Sequence, residues 1–174
     1  LCIVVLYALL AIFAPMFSQY TQSEMDVESK NAMISAAHWF GCDSTGRDLW
    51  VRIWMGGRVS LTIGLISAVL NMCVGAVIGG LCGFYGGKLD MIVMRIVDIL
   101  YGIPSLIITI LVMMVLGKGV APLIVAMCIV GWIGTCRFVR GEVYRIKEQD
   151  FVMAAKVLGV PDFIIIVRHI IPNI

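Results

Sequence analysis

Charge is what this chain has least of. Only 14% of its residues are charged while 61% are hydrophobic, mean hydropathy is +1.02, and from Ser60 to Phe84 there is no charged side chain at all. Such a composition is too apolar for a water-soluble domain, whose apolar share is about half. Other absences narrow the chemistry. No G-x-x-x-x-G-K-[ST] occurs, so the glycines do not cradle a nucleotide phosphate. No C-x-x-C occurs either, and Cys2, Cys73, Cys82, Cys128 and Cys136 lie in or at the ends of apolar segments, where thiols pack as small apolar groups. Cys42 alone sits in a polar loop, as an unpaired thiol. The two histidines, His38 and His169, fall on opposite sides of the topology set out below and cannot share a metal. A net charge of +2 has no nucleic-acid character. The expectation is therefore no catalytic residue, no cofactor and no metal.

What is present is membrane-length apolar sequence. Four segments approach the ~20 residues that cross a bilayer core: Leu1 to Phe17, Ser60 to Phe84, Met91 to Leu116 and Val120 to Cys136. The fold class is all-α, a polytopic transmembrane helical bundle. Residues 1–17 read as a truncated first span, since they show neither a basic leader nor a small-residue cleavage site, and the chain is expected to be a fragment. Residues 18–59 form an extracytoplasmic loop with an interfacial elbow, 60–136 carry spans two to four, and 137–174 form a cytoplasmic loop.

The basic residues orient these segments. Arg137, Arg140, Arg145, Lys147, Lys156 and Arg168 crowd the late loop, whereas the early loop holds Lys30, Arg47 and Arg52 against five acids. Positive charge marks the cytoplasmic side, so the late loop is inside and the early loop outside.

Several features lie on this frame. Gly75, Gly79 and Gly83 recur every four residues, a stripe along which another helix can approach closely, either within the chain or at a subunit interface. Arg95 and Asp98, three apart, share a helix face and read as an ion pair; an unpaired charge at mid-bilayer costs about 2.5–3.5 kcal/mol. A proton relay through Asp98 is the alternative, although no second buried acid continues it. Pro104 predicts a kink in the wall of a pathway. Leu49, Trp50, Ile53 and Trp54 sit at helical spacing and predict an amphipathic elbow along the interface, with Asp43, Arg47 and Asp48 forming an ion-paired turn or a ligand contact. In the late loop, Gln149 to Leu158 is helix-forming with a small pair, Ala154 and Ala155. Gly159 permits a turn, Pro161 and Asp162 suit the start of a second helix, and Pro172 ends it. A helix pair of this kind between spans cannot sit in hydrocarbon and presents a docking surface to something soluble.

The late loop, M-A-A-K-V-L-G at Met153–Gly159 followed by R-H-I-I-P-N at Arg168–Asn173, resembles the E-A-A-x-x-x-G loop of ABC-importer permeases. Four more segments follow in order: F-G-C-D-S-T-G-R-D at Phe40–Asp48, G-G-R-V-S-L at Gly56–Leu61, F-Y-G-G-K-L-D at Phe84–Asp90 and M-R-I-V-D-I-L-Y-G-I-P-S-L at Met94–Leu106. Together they resemble the dipeptide, oligopeptide and nickel branch of that family. The resemblance implies a type I importer permease of six spans, of which this chain would hold four. It also implies a homologous second permease, two cytoplasmic ABC ATPase subunits, an extracytoplasmic solute-binding protein and a lipid bilayer around the assembly. Met153, Ala154, Ala155, Gly159 and Pro172 would then belong to the loop that couples to an ATPase. Met153 stands where the family has glutamate, and Trp39 and Cys42 stand where proline and threonine are common. The function implied is a non-enzymatic permease subunit in the cell membrane for di- and oligopeptides. The alternatives are import of nickel or another small solute by the same architecture, or a proton-coupled carrier.

Overall fold

A computed structural model describes residues 2–174; Leu1, where the expected first span begins, lies outside them. The regular elements among the described residues are helices, residues 18–48 form a loop, and one isolated antiparallel bridge joins Cys42 and Asp48. They fall into two compact units that divide at Gly64.

In the first unit, helix α1 (Cys2–Phe13) runs into a 3-10 turn, Ala14–Phe17, where Pro15 tightens the end. The carbonyls that a helix leaves unpaired at its C-terminus need donors. Arg58 supplies them: its Nε donates to Ala11 O at 3.2 Å and a terminal nitrogen to Ile12 O at 2.9 Å. Trp50 Nε1 donates to Ala14 O at 3.0 Å, and its ring meets Trp39, Phe40 and Trp54 edge-on. The loop between is tied by Asp43, whose carboxylate accepts from the Thr45 hydroxyl at 2.6 Å and the Arg47 amide at 3.0 Å and pairs with Arg47 and Arg52. These donors, the Thr45 hydroxyl first, hold its carboxyl well below the ordinary carboxylate range.

Helix α2 (Leu49–Tyr85) starts well before Ser60. The residues expected to lie along the interface form its first turns instead, because Asp48 Oδ1 accepts from the Val51 amide at 3.0 Å and caps the helix there. At 37 residues it is about 55 Å long, against a hydrocarbon core of ~30 Å.

The second unit, from Leu65, contains the rest of α2 and every later element. Helices α3 (Gly87–Tyr101) and α4 (Ser105–Leu116) occupy the expected third span, yet their axes differ by 83°. This is a break, where the sequence predicted a kink. Pro104 has no N–H to continue the helix and disfavours helical backbone at Ile103, so α3 closes on Gly102 and α4 starts afresh after Pro104 (ψ 124°). Helix α4 has no buried residue; Met114 and Val115 are 76% and 82% exposed. Apolar surface of that kind suits lipid or a further helix. Helix α5 (Val120–Ile146) continues past Cys136. Among the described residues two helices, α2 and α5, are long and apolar enough to cross a membrane unaided, and α3 with α4 are so only as a pair, bent by 83°.

Candidate functional site

Beyond α5 the chain builds a compact cap. After Lys147 the backbone is extended at Gln149, helix α6 (Asp150–Val157) follows, and Asp162–Ile164 opens α7, which widens into π-type turns at Ile165–Ile170 and ends in a 3-10 turn, Ile171–Asn173. Helix α6 stops by a specific device. The Val160 amide donates to Ala155 O at 3.1 Å and the Gly159 amide to Lys156 O at 3.0 Å, with Gly159 at φ +76°. This pair of bonds around a left-handed residue is a Schellman motif, in which the residue after the glycine packs back on the last turn. Val160 does so, against the cluster that contains Ala155. Pro172 brings no amide to the end of α7, and Asn173 Nδ2 caps His169 O at 2.7 Å.

A core holds the cap in place. Val139, Val143 and Ile146 of α5, Phe84 of α2, Val152 and Ala155 of α6, and Ile165, Ile166 and Ile170 of α7 form one buried cluster. Each fully buried isoleucine contributes about 1.5–3 kcal/mol relative to exposure, and Ile165 and Ile170 are both at 0%. The opposite face is bare. Met153, Val157, Leu158 and Phe163 are 56%, 87%, 81% and 70% exposed, and Asp150 and Asp162 are exposed as well, while Lys156 Nζ lies 4.7 Å from the Phe84 ring centroid. The two alanines therefore part company: Ala154 faces outward, whereas Ala155 is buried under its own chain and its small size serves that packing. Met153 faces outward and makes no ion pair.

Glycines bring α2 onto α5. A Cβ at Gly75 would lie 2.6 Å from Thr135 Cβ, one at Gly83 2.7 Å from Val143 Cβ, and one at Gly79 against the Cys136 carbonyl. The stripe thus packs within the chain. At the α5 end of this contact Asp90, 7% exposed, accepts both Nε and a terminal nitrogen of Arg140, the latter at 2.6 Å, and the Tyr144 hydroxyl at 3.1 Å. Lys147 Nζ lies 3.9 Å from the Tyr144 ring centroid and donates to Gly83 O at 2.9 Å. Sequence reading had not joined these residues. The available signal was the spacing of Arg137, Arg140, Tyr144 and Lys147, which sets four polar side chains along one helical face.

Asp98 is paired, but not with Arg95. Its Oδ1 accepts from Arg137 of α5 at 2.6 Å, and that guanidinium lies 4.5 Å from the Tyr101 ring centroid. Arg95 is exposed, with no ion pair among the described residues. A basic residue N-terminal to an acid on a helix is the weaker order, and a partner from the neighbouring helix prevails. Pro104 lies at the α3–α4 break. Near it, Asn71, Ser105, Thr109, Met127 and Gly131 line a cavity of about 390 Å³.

The family of binding-protein-dependent transport system inner membrane components matches residues 75–174. The chain belongs to this family. It is an integral membrane transport component and not an enzyme. Among relatives of this permease chain, the oligopeptide transport system permease protein OppC of Bacillus subtilis is 47% identical over 173 residues, covering 99% of the chain and 57% of that protein. The dipeptide transport system permease protein DppC of the same organism is 40% identical, covering 94% and 51%. The glutathione transport system permease protein GsiD of Pectobacterium atrosepticum is 37% identical, covering 97% and 58%. The permease chain thus spans about half the length of the curated relatives it matches.

Proposed function

We propose that this chain supplies helical core and coupling loop to a permease of an ATP-driven importer of di- and oligopeptides in the cell membrane. The observation that carries the reading is α6. It is a short helix outside the spans, locked to α5 and α2 by Val152 and Ala155, with Met153, Val157 and Leu158 exposed on its other face. Large apolar side chains left exposed together on a helix with charged neighbours suit a protein contact. One of two cytoplasmic ATPase subunits is the partner proposed for it, and a homologous permease and an extracytoplasmic solute-binding protein complete the assembly. Closure of the ATPases would move α6 as a rigid body, and the buried cluster would pass that motion to α5 and the end of α2. Chemistry on ATP stays in the partner.

The relatives' names favour peptide-like cargo over nickel, since they describe oligopeptide, dipeptide and glutathione systems. The pairing of Asp98 with Arg137 speaks against a proton relay. The test is Leu158→Asp in the complete permease co-expressed with its ATPases. Co-purification of the ATPases should fall at least tenfold while membrane insertion is unchanged. Undiminished co-purification with undiminished peptide uptake would exclude this docking face.

A further inference from the structure

The loop before α2 gathers three potential metal ligands, His38, Cys42 and Asp48, from one short stretch of chain. A nitrogen of His38, Sγ of Cys42 and a carboxylate oxygen of Asp48 all lie within 4.8 Å of one another, and all three residues are buried. Their convergence is built by the backbone. Cys42 and Asp48 form the antiparallel bridge, closed by the Asp43 amide on Arg47 O and the Leu49 amide on Gly41 O, both at 3.0 Å, so their side chains share one face. His38 is fixed by its amide on Ser35 Oγ at 3.0 Å, and its ring stacks on Tyr20 at 4.5 Å. Its Nδ1 lies 2.9 Å from Asp48 Oδ2, while Oδ1 of the same carboxylate is held by the Val51 amide.

We propose that His38, Cys42 and Asp48 form a binding site for a borderline-soft divalent metal ion, zinc being the best match. The donor set decides the class. One imidazole nitrogen, one thiolate and one carboxylate are ligands that zinc takes together, whereas magnesium and calcium select all-oxygen sites and copper(I) prefers several sulfurs. Charge agrees. A dication with a thiolate, a carboxylate and a neutral imidazole leaves the buried site neutral, and binding releases the thiol proton. With the ion between His38 Nδ1 and Asp48 Oδ2 the neutral imidazole carries its one proton on Nε2, and the Val51 amide and the Tyr20 ring orient the ligands from outside. Access exists as well. A cavity of about 280 Å³ lined by Tyr20, Glu24, Asp26, His38 and Asp48 reaches two of the three ligands, and its acids draw cations in. Three protein ligands beside such a cavity leave a fourth position for water. The inference is independent of the transport reading, since every residue in it belongs to the first unit.

The experiment uses the full-length permease in nanodiscs, titrated with Zn2+ against a chromophoric chelator and, separately, with Co2+ while the thiolate-to-cobalt charge-transfer band is followed. One Zn2+ per chain is expected, undisturbed by excess Mg2+, with a Co2+ band that disappears in Cys42→Ser. Cys42→Ser and His38→Gln should each weaken Zn2+ binding at least tenfold. Cys73→Ser, in α2, should leave it unchanged. Cys42→Ser is close to isosteric, and tryptophan fluorescence from Trp39 and Trp50 reports whether its loop is intact; if His38→Gln misfolds, Cys42→Ser alone decides. Absence of stoichiometric Zn2+ binding, a Co2+ complex without the thiolate band, or full affinity in Cys42→Ser would overturn the proposal.

Discussion

A Cβ added at Gly159 would meet no neighbouring atom, because nothing lies within 4 Å of its position. The constraint there is the backbone, held at φ +76° by the Schellman bonds. A β-carbon in that region costs about 1–2 kcal/mol. Gly159→Val should therefore speed hydrogen exchange of the α6 amides by roughly 5–30-fold, and Gly159→Asn, which tolerates left-handed backbone, by less. At Gly79 the backbone is helical and the constraint is room beside the Cys136 carbonyl. The two glycines look alike in sequence, but their spacing separates them: a four-residue repeat announces a close helix contact, and a lone glycine after a helical run announces its end. The Ala154–Ala155 pair carried no such label. Which of two adjacent small residues faces inward depends on the rotation of α6 over the isoleucines of α7, and that is a tertiary fact.

At the scale of elements, the cap has a holding side and a presenting side that respond differently to truncation. Ile165→Ala removes a fully buried side chain and should destabilise the cap by about 2–5 kcal/mol. Phe163→Ala alters a side chain that is 70% exposed and should leave stability within ~0.5 kcal/mol while weakening ATPase association. Thermal unfolding set beside ATPase co-purification separates the two effects. The Asp90–Arg140–Tyr144 network offers a second test. Losing one partner of a buried ion pair costs about 3–5 kcal/mol, but the Arg140 side chain is 33% exposed, so Asp90→Asn should cost nearer 2 kcal/mol. A double cycle with Arg140→Gln should show the pair to be non-additive by more than ~0.5 kcal/mol. The α3–α4 break was half legible: Pro104 marked the place, but the size of the turn, 83°, depends on the extended backbone at Pro104 itself. Arg95 and Asp98 were misread for a related reason. Local spacing proposes a partner three residues away, while Arg137 arrives from another helix with a better geometry.

For the whole molecule, sidedness is the property to measure. With Leu158→Cys in a cysteine-free background, a membrane-impermeant maleimide should label only from the cytoplasmic face, and with Ser44→Cys only from the outside. The reverse pattern would invert the topology drawn from the arginines. The helical class was readable because composition is an additive signal. The grouping of His38, Cys42 and Asp48 was not, since it depends on the turn at Asp43–Arg47 that folds Asp48 back onto Cys42.

The division of labour around α6 has one further consequence. Side chains that fasten the helix and side chains left exposed on it are different sets, so the exposed set can be rewritten without disturbing the buried one. If α6 couples as proposed, grafting a sister transporter's residues at 153, 157 and 158 should re-address this permease to that transporter's ATPase while its own scaffold folds as before.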